Sequence, residues 1–129
     1  MVVNLPLELL VNNNAGRMDW KILTEESQLK EIIETSAVRP QVIFKHSTRC
    51  SISSLAKNRL DRASNPEDMD FYFLDLISFR SLSDKTADLF MVNHESPQVL
   101  LIKNGECIYD ESHISISMDG IVEVLNSDN

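Results

Sequence analysis

Short apolar runs alternate with segments of helical periodicity along most of this chain, and that alternation constrains the fold more than any other feature. Residues 20–23, 41–45 and 69–77 are the apolar runs. The second is short and continuously apolar like a buried parallel strand, and the third is rich in aromatic residues, which suits a central strand. Strands that alternate with helices predict parallel strands joined by crossover helices.

The segments that follow these strands place apolar residues at helical spacing. Such spacing predicts three helices, each with one face packed against the sheet. Thr24 is a suitable N-cap for the first of them, because its hydroxyl can accept from the first turn. The residues predicted to face inward are Leu29, Ile32, Ile33 and Ala37 in the first helix, Ile52, Leu55, Ala56 and Leu60 in the second, and Leu82, Leu89 and Phe90 in the third.

The last part of the chain changes pattern. Residues 98–103 and 106–110 flank Asn104 and Gly105, and an Asn-Gly pair between two strands is a strong hairpin signal. A final helix over residues 117–126 would direct Ile121, Val122 and Leu125 inward. The order β-α-β-α-β-α-β-β-α predicts an α/β protein with a mixed sheet of four to five strands and helices on both faces, which is the thioredoxin-like fold.

The 129 residues are enough for one domain with a substantial core. We place that domain at residues 20–126. Residues 1–19 form an N-terminal extension joined by the polar run at residues 12–16. A flexible, loosely docked arm and an added edge strand are both open for this extension.

Composition excludes several classes of partner and compartment. A net charge of −8 and a pI near 4.7 argue against a nucleic-acid partner or an anionic membrane surface. The N-terminal residues lack a basic region, carry Glu8 and have too short an apolar run to span a bilayer. Cys50 and Cys107 do not make a disulfide framework, and no metal-ligand cluster accompanies them. We therefore expect a cytoplasmic protein with reduced thiols and no metal.

The stretch VIFKHSTRCSIS, residues 42–53, carries the candidate chemistry. It would place Cys50 at the carboxyl end of a parallel strand and at the N-terminus of the next helix. Unpaired N–H groups and the helix dipole favour a thiolate there. Lys45, His46 and Arg49 would add positive potential. Ser53 lies one turn further on, where it either donates a hydrogen bond to the thiolate or is simply solvated.

A second motif, HESPQV at residues 94–99, precedes the predicted hairpin. Proteins of the thioredoxin fold hold a cis X-Pro bond at this point, facing the active cysteine. By that resemblance, Ser96-Pro97 should be cis and leave a backbone edge for a bound thiol or peptide. His94 either lines this site or is a bystander.

Other polar or reactive residues have simpler interpretations. Cys107 lies inside a hairpin strand, which favours an inert core thiol. His46 either tunes the thiolate or is a partly exposed loop residue. We expect His113 to be structural, Arg80 to make a helix-end or carboxylate contact, and Trp20 to pack against the core or sheet edge.

Three long segments resemble one known family. FKHSTRCSIS (residues 44–53), FLDLISFR (73–80) and HESPQVLLIKNGE (94–106), together with Ser112-His113, resemble the bacillithiol-system YtxJ-like monothiol bacilliredoxins across residues 20–126. The resemblance implies that Cys50 is catalytic and exchanges disulfides with bacillithiol, a low-molecular-weight thiol. The residues expected to tune the thiolate or bind substrate are Lys45, His46, Thr48, Arg49, Ser53, His94, Ser96 and Pro97.

The function that this resemblance implies is removal of bacillithiol, or a similar small thiol, from S-thiolated client proteins. The small thiol is then a co-substrate, and no cofactor is expected. One alternative is a binding or scaffold protein that uses the fold without turnover. Another is an iron–sulfur carrier like the monothiol glutaredoxins, but those rely on a C-G-F-S motif and C-S-I-S lacks its glycine.

Overall fold

The computed structural model describes residues 18–128, and a five-stranded mixed sheet runs through this part of the chain. Residues 1–17 of the N-terminal extension lie outside the described residues. The strands are β1 (Trp20–Ile22), β2 (Gln41–His46), β3 (Asp70–Asp75), β4 (Gln98–Lys103) and β5 (Glu106–Ser112). The helices are α1 (Glu26–Thr35), α2 (Ser51–Arg62), α3 (Arg80–Phe90) and α4 (Met118–Ser127), with a 3₁₀ turn at His113–Ser115.

The strand order is β1-β3-β2-β4-β5. β1, β3 and β2 are parallel to one another, whereas β4 is antiparallel to both β2 and β5. The β4–β5 turn has positive φ at Asn104 (52°) and Gly105 (79°), as its Asn-Gly sequence predicts. The predicted α/β class and thioredoxin-like fold are confirmed.

β2 is the central strand, and all six of its side chains are buried. Because side chains alternate across a strand, β2 contributes to two separate cores. Val42 and Phe44 pack on the face covered by α2 and α4. Ile43 packs on the opposite face, which α1 and α3 cover.

The helices bury somewhat different faces from those that spacing predicts. In α2, Ile52 and Leu55 are 45% and 44% exposed. The buried residues of α2 are instead Ser53, Ala56 and Leu60. Burial of Ser53 accounts for this rotation, because its hydroxyl is bonded within the β2–α2 connection rather than to solvent.

Two local predictions differ from the structure at the other helices. The N-cap of α1 is Glu25 rather than Thr24, since Glu25 forms a capping box with Gln28. In α3, Leu89 is exposed while Leu82 and Phe90 are buried. At α4 the predicted face is confirmed: Ile121 is buried, with Val122 and Leu125 packed against the same core.

No helix among residues 18–128 is both long and apolar enough to cross a bilayer.

Trp20 occupies β1 and packs against the sheet, as expected. Its ring centroid lies 5.6 Å from that of Phe44 and 5.9 Å from that of Phe73. Its indole N–H donates to Asp61 Oδ1 of α2 at 2.8 Å. Trp20 therefore ties the edge strand to the helix that begins beside Cys50.

Candidate active site

Cys50 is the N-cap residue of α2 and is partly buried. Its N–H donates to the Ser47 carbonyl oxygen at 3.1 Å, and its own carbonyl accepts from Ser54 N–H at 3.1 Å. No side-chain hydrogen bond caps the first turn of α2. Cys50 therefore lies at the end of α2 where the first-turn N–H groups and the positive end of the helix dipole are found, and a thiolate at this position stays a prediction.

The Ser53 hydroxyl joins α2 to the end of β2. It accepts from Ser47 N–H at 3.0 Å and lies 2.7 Å from His46 Nδ1. No other acceptor for its proton occurs among residues 18–128, so the hydroxyl donates to Nδ1 and His46 carries its own proton on Nε2. The expectation of a solvated Ser53 is wrong, and its hydroxyl has partners other than the Cys50 sulfur.

His46 is the last residue of β2 and is only 5% exposed, so the interpretation as a partly exposed loop residue is wrong. Its ring packs 5.3 Å from Phe73 and 5.8 Å from Phe44, centroid to centroid. Burial, reinforced by the charge of Lys57, lowers the pKa of His46 below its ordinary value. His46 is therefore a neutral imidazole near pH 7, and a role in tuning the Cys50 thiolate stays a prediction.

The loop between α3 and β4, residues 91–97, is called the proline loop. It lies beside the turn that carries Cys50. The Ser96-Pro97 bond is cis, as expected. Lys45 of β2 pairs with Gln98 of β4, and continuing this register places Pro97 alongside His46 and Ser96 alongside Ser47. Ser96 Oγ is buried and has no hydrogen-bond partner among the described residues.

Buried polar side chains hold this loop from the α3 side of the sheet. Gln98 Nε2 donates to the Asn93 carbonyl oxygen at 2.9 Å, and Gln98 Oε1 accepts from Glu95 N–H at 3.4 Å. Lys45 Nζ lies 3.2 Å from His94 Nδ1. Sequence reasoning missed Gln98, although a polar residue opening an otherwise apolar strand is a signal that could have found it.

Lys45 therefore contacts the loop from the sheet face opposite His46, rather than the turn that carries Cys50. It is completely buried. Burial lowers the pKa of Lys45 to about 8, with the Asp84 carboxylate opposing the shift and Arg80 adding to it. Its expected contribution of positive potential at Cys50 stays a prediction.

The other candidate residues lie at the surface. Thr48 and Arg49 are exposed in the turn between β2 and α2. Arg80 opens α3 and pairs with Asp84 at 3.5 Å, which confirms the expected carboxylate contact. His113 Nε2 lies 3.1 Å from Glu95 Oε1.

Cys107 lies far from Cys50. It is in β5 and pairs with Ile102, which in turn pairs with Gln41 at the start of β2. Cys50 follows the other end of β2, about 16 Å away along the strand at roughly 3.3 Å per residue. Burial raises the pKa of Cys107 to about 11. Cys107 is thus neither a near neighbour of Cys50 nor a thiolate at neutral pH.

The pairing of Ser53 with the β2 end can be tested by Ser53→Ala. This change leaves a buried Ser47 N–H without an acceptor, so we expect the free energy of unfolding to fall by about 1–3 kcal/mol in urea denaturation. Ser54→Ala is the matched control, since Ser54 is exposed in the same turn and should change stability by less than about 0.5 kcal/mol. Equal losses for the two variants would contradict the assignment.

The two thiols should differ sharply in alkylation by iodoacetamide. At pH 7–8 we expect Cys50 to react while Cys107 stays largely free, because the Cys107 pKa is about 11 and the thiolate is the nucleophile. Mass spectrometry of the digested protein measures both rates. Alkylation of Cys107 should become fast only as the pH approaches 11. Similar alkylation rates for the two cysteines at pH 7 would contradict this expectation.

Comparison with known proteins places this geometry in a family. The family model described as monothiol bacilliredoxin BrxC matches residues 21–121. A solved structure described as a candidate oxidoreductase with a thioredoxin fold is 31% identical, with a TM-score of 0.72 over 81% of this chain and 91% of the other. Thioredoxins of Malassezia sympodialis and Trypanosoma brucei brucei are more distant in sequence and share the fold.

The Malassezia protein is 15% identical, with a TM-score of 0.63 over 85% of this chain and 91% of its own. The Trypanosoma protein is 11% identical, with a TM-score of 0.64 over 84% of this chain and 89% of its own.

Residues 18–128 contain no group of three His, Cys, Asp or Glu side chains that could hold a metal ion. By its match over residues 21–121, the chain belongs to the monothiol bacilliredoxin family, and it has a role in thiol redox chemistry.

Proposed function

We propose that this protein is a monothiol thiol–disulfide oxidoreductase of the cytoplasm that removes bacillithiol, or a similar small thiol, from S-thiolated client proteins. One observation carries the proposal. Cys50 sits at a helix N-terminus without a side-chain cap, beside a cis-proline loop, and Cys107 lies at the other end of the central strand. Family membership supports the same reaction class.

The first step is attack by the Cys50 thiolate on the small-thiol sulfur of a client mixed disulfide. A disulfide forms between Cys50 and the small thiol while the client–small-thiol disulfide breaks. The client sulfur leaves as a thiolate and takes a proton from solvent. The number of disulfides is unchanged, and the rate depends on the Cys50 thiolate fraction and on the stability of the leaving thiolate.

Release of the small thiol needs a second molecule. A disulfide needs Cα atoms within about 7 Å, and β2 separates Cys107 from Cys50 by about twice that distance. The residue one turn after Cys50 is Ser53, which has no thiol. A second small thiol attacks the adduct, restores the Cys50 thiol and leaves as a small-thiol disulfide; a dedicated reductase would serve equally. No cofactor takes part, and neither a nucleic acid nor a membrane is a partner.

The surrounding residues have separate roles in this proposal. Thr48 and Arg49 are exposed beside Cys50 and contact the incoming disulfide, with Arg49 adding positive potential. Ser96 and the backbone at Pro97 form the opposite wall. The buried Ser96 hydroxyl lacks a partner among the described residues, and a bound substrate can supply one. His46 and Ser53 fix the turn behind Cys50.

Transfer of the small thiol is the direct test. A bacillithiolated model protein is mixed with the reduced chain, and both partners are followed by intact mass spectrometry. We expect the client to lose bacillithiol as this protein gains it. Cys50→Ala should abolish both changes, because the attacking sulfur is gone.

Cys107→Ala is the matched control, and it should transfer bacillithiol as fast as the wild type. Loss of transfer in Cys107→Ala would contradict the monothiol mechanism. A wild-type chain that binds the client but never acquires the adduct would instead favour the scaffold alternative.

A further inference from the structure

Lys45 is a buried cation whose closest partner is a histidine rather than a carboxylate. Its side chain is fully buried on the α1 and α3 face of the sheet. Within residues 18–128 it forms no ion pair, and its ammonium lies 3.2 Å from His94 Nδ1. A buried charge with no carboxylate in direct contact costs free energy, so the contact between Lys45 and His94 calls for a functional explanation.

The chemistry of the two groups fixes the tautomer of His94. A lysine ammonium has three donors and no acceptor, so His94 Nδ1 must accept. The imidazole proton is then on Nε2. Ser83 Oγ lies 3.4 Å from the same Nδ1, on the same side of the ring. Nε2–H therefore points away from Lys45, and none of the described residues accepts from it.

We propose that Lys45 is a positioning residue for thiol–disulfide exchange: it holds His94 as the Nε2–H tautomer, and that N–H binds an oxygen acceptor on the incoming mixed disulfide. This inference rests on the proposed function and adds a binding residue and its supporting residue to it. His94 lies three residues before the cis Pro97 and is only partly buried. Its donor is thus carried by the loop that forms the wall opposite Cys50.

The charges around the pair are compatible with this arrangement at neutral pH. Arg80 and Asp84 face it from α3, and Glu95 faces it from the loop. Burial, then the charge of Lys45, lowers the pKa of His94, while the pKa of Lys45 is about 8. Near pH 7 the lysine is therefore charged and the imidazole neutral. Above about pH 8 the Lys45 ammonium loses a proton, and the hydrogen bond from Lys45 Nζ to His94 Nδ1 should weaken.

The tautomer can be read without any activity measurement. Long-range ¹H–¹⁵N correlation spectra of the full chain labelled with ¹⁵N-histidine distinguish Nε2–H from Nδ1–H. The chain has three histidines, and His94→Gln identifies the signals of His94 by their loss. In the wild type at pH 7 we expect His94 to be the Nε2–H tautomer. In Lys45→Met we expect a mixture of both tautomers and a higher pKa of His94, because the charge of Lys45 lowers that pKa.

Two controls keep the spectroscopic test decisive. Lys57→Met removes a lysine on the opposite face, which pairs with Asp61, and should leave the His94 signals unchanged. If Lys45→Met does not fold, a wild-type titration through pH 8–10 gives the same comparison, since it removes the Lys45 charge. An Nδ1–H tautomer of His94 in the wild type would overturn the proposal. So would His94 signals that change neither in Lys45→Met nor in the wild-type titration.

Kinetics test the binding role. We expect His94→Gln and Lys45→Met to raise KM several-fold with little change in kcat, and Lys45→Met also to flatten the pH profile near pH 8. Two substrates locate the acceptor: the disulfide of the small thiol alone, and a client peptide carrying it. A KM change for both places the acceptor on the small thiol, and a change for the peptide only places it on the client.

The outcomes separate this inference from the proposed function. An unchanged KM for both substrates in His94→Gln would refute the binding role even if exchange proceeds normally. A wild-type protein that exchanges neither substrate would refute the proposed function, while the tautomer measurement would still decide whether Lys45 positions His94.

Discussion

The structure depends on the central strand β2, which is hydrogen-bonded to β3 on one side and to β4 on the other. All six of its side chains are buried, so a one-residue slip in register would move every side chain to the opposite face and disrupt both cores. The strand ends at His46, and the turn that follows delivers Cys50 to the start of α2. The pairing with β4 brings the cis-proline loop to the same end. One well-fixed strand therefore positions both walls of the site.

The last two residues of β2, Lys45 and His46, contact two different loops of the candidate site. Since neighbouring side chains on a strand point to opposite faces, Lys45 and His46 lie on opposite faces of the sheet. His46 is bonded to Ser53 and so to the turn that carries Cys50. Lys45 is bonded to His94 and so to the proline loop. Each contact occupies the Nδ1 of a histidine, which leaves two neutral imidazoles with their protons on Nε2.

The sequence predicts the parts of this arrangement that arise locally. Strand and helix periodicity gives the order of elements, and the Asn104-Gly105 turn gives the hairpin because both residues adopt positive φ. The position of Cys50 at a strand–helix junction follows from the same local pattern. The contacts of Lys45 and Ser53 do not, because each joins residues whose proximity depends on sheet pairing or helix rotation. Apolar spacing also favours inward Ile52 and Leu55, whereas the buried Ser53 sets the rotation of α2.

No second thiol lies near Cys50 in the part of the chain that the structure describes, and this supports the proposed monothiol mechanism. In α2 the residue one turn after Cys50 is Ser53, whose hydroxyl is bonded within the junction. Cys107 is partly buried near the other end of the sheet, and its Sγ donates to the Tyr109 carbonyl oxygen. Under the proposed mechanism, we therefore expect oxidation to join Cys50 only to a sulfur from another molecule.

The most direct measurement is the mass and free-thiol count of the reduced chain after oxidation by excess disulfide of the small thiol. The account predicts a gain of one small-thiol adduct, mapped to Cys50, with Cys107 still free. Loss of two hydrogens with both thiols consumed and no adduct retained would show a Cys50–Cys107 disulfide, and would contradict the account.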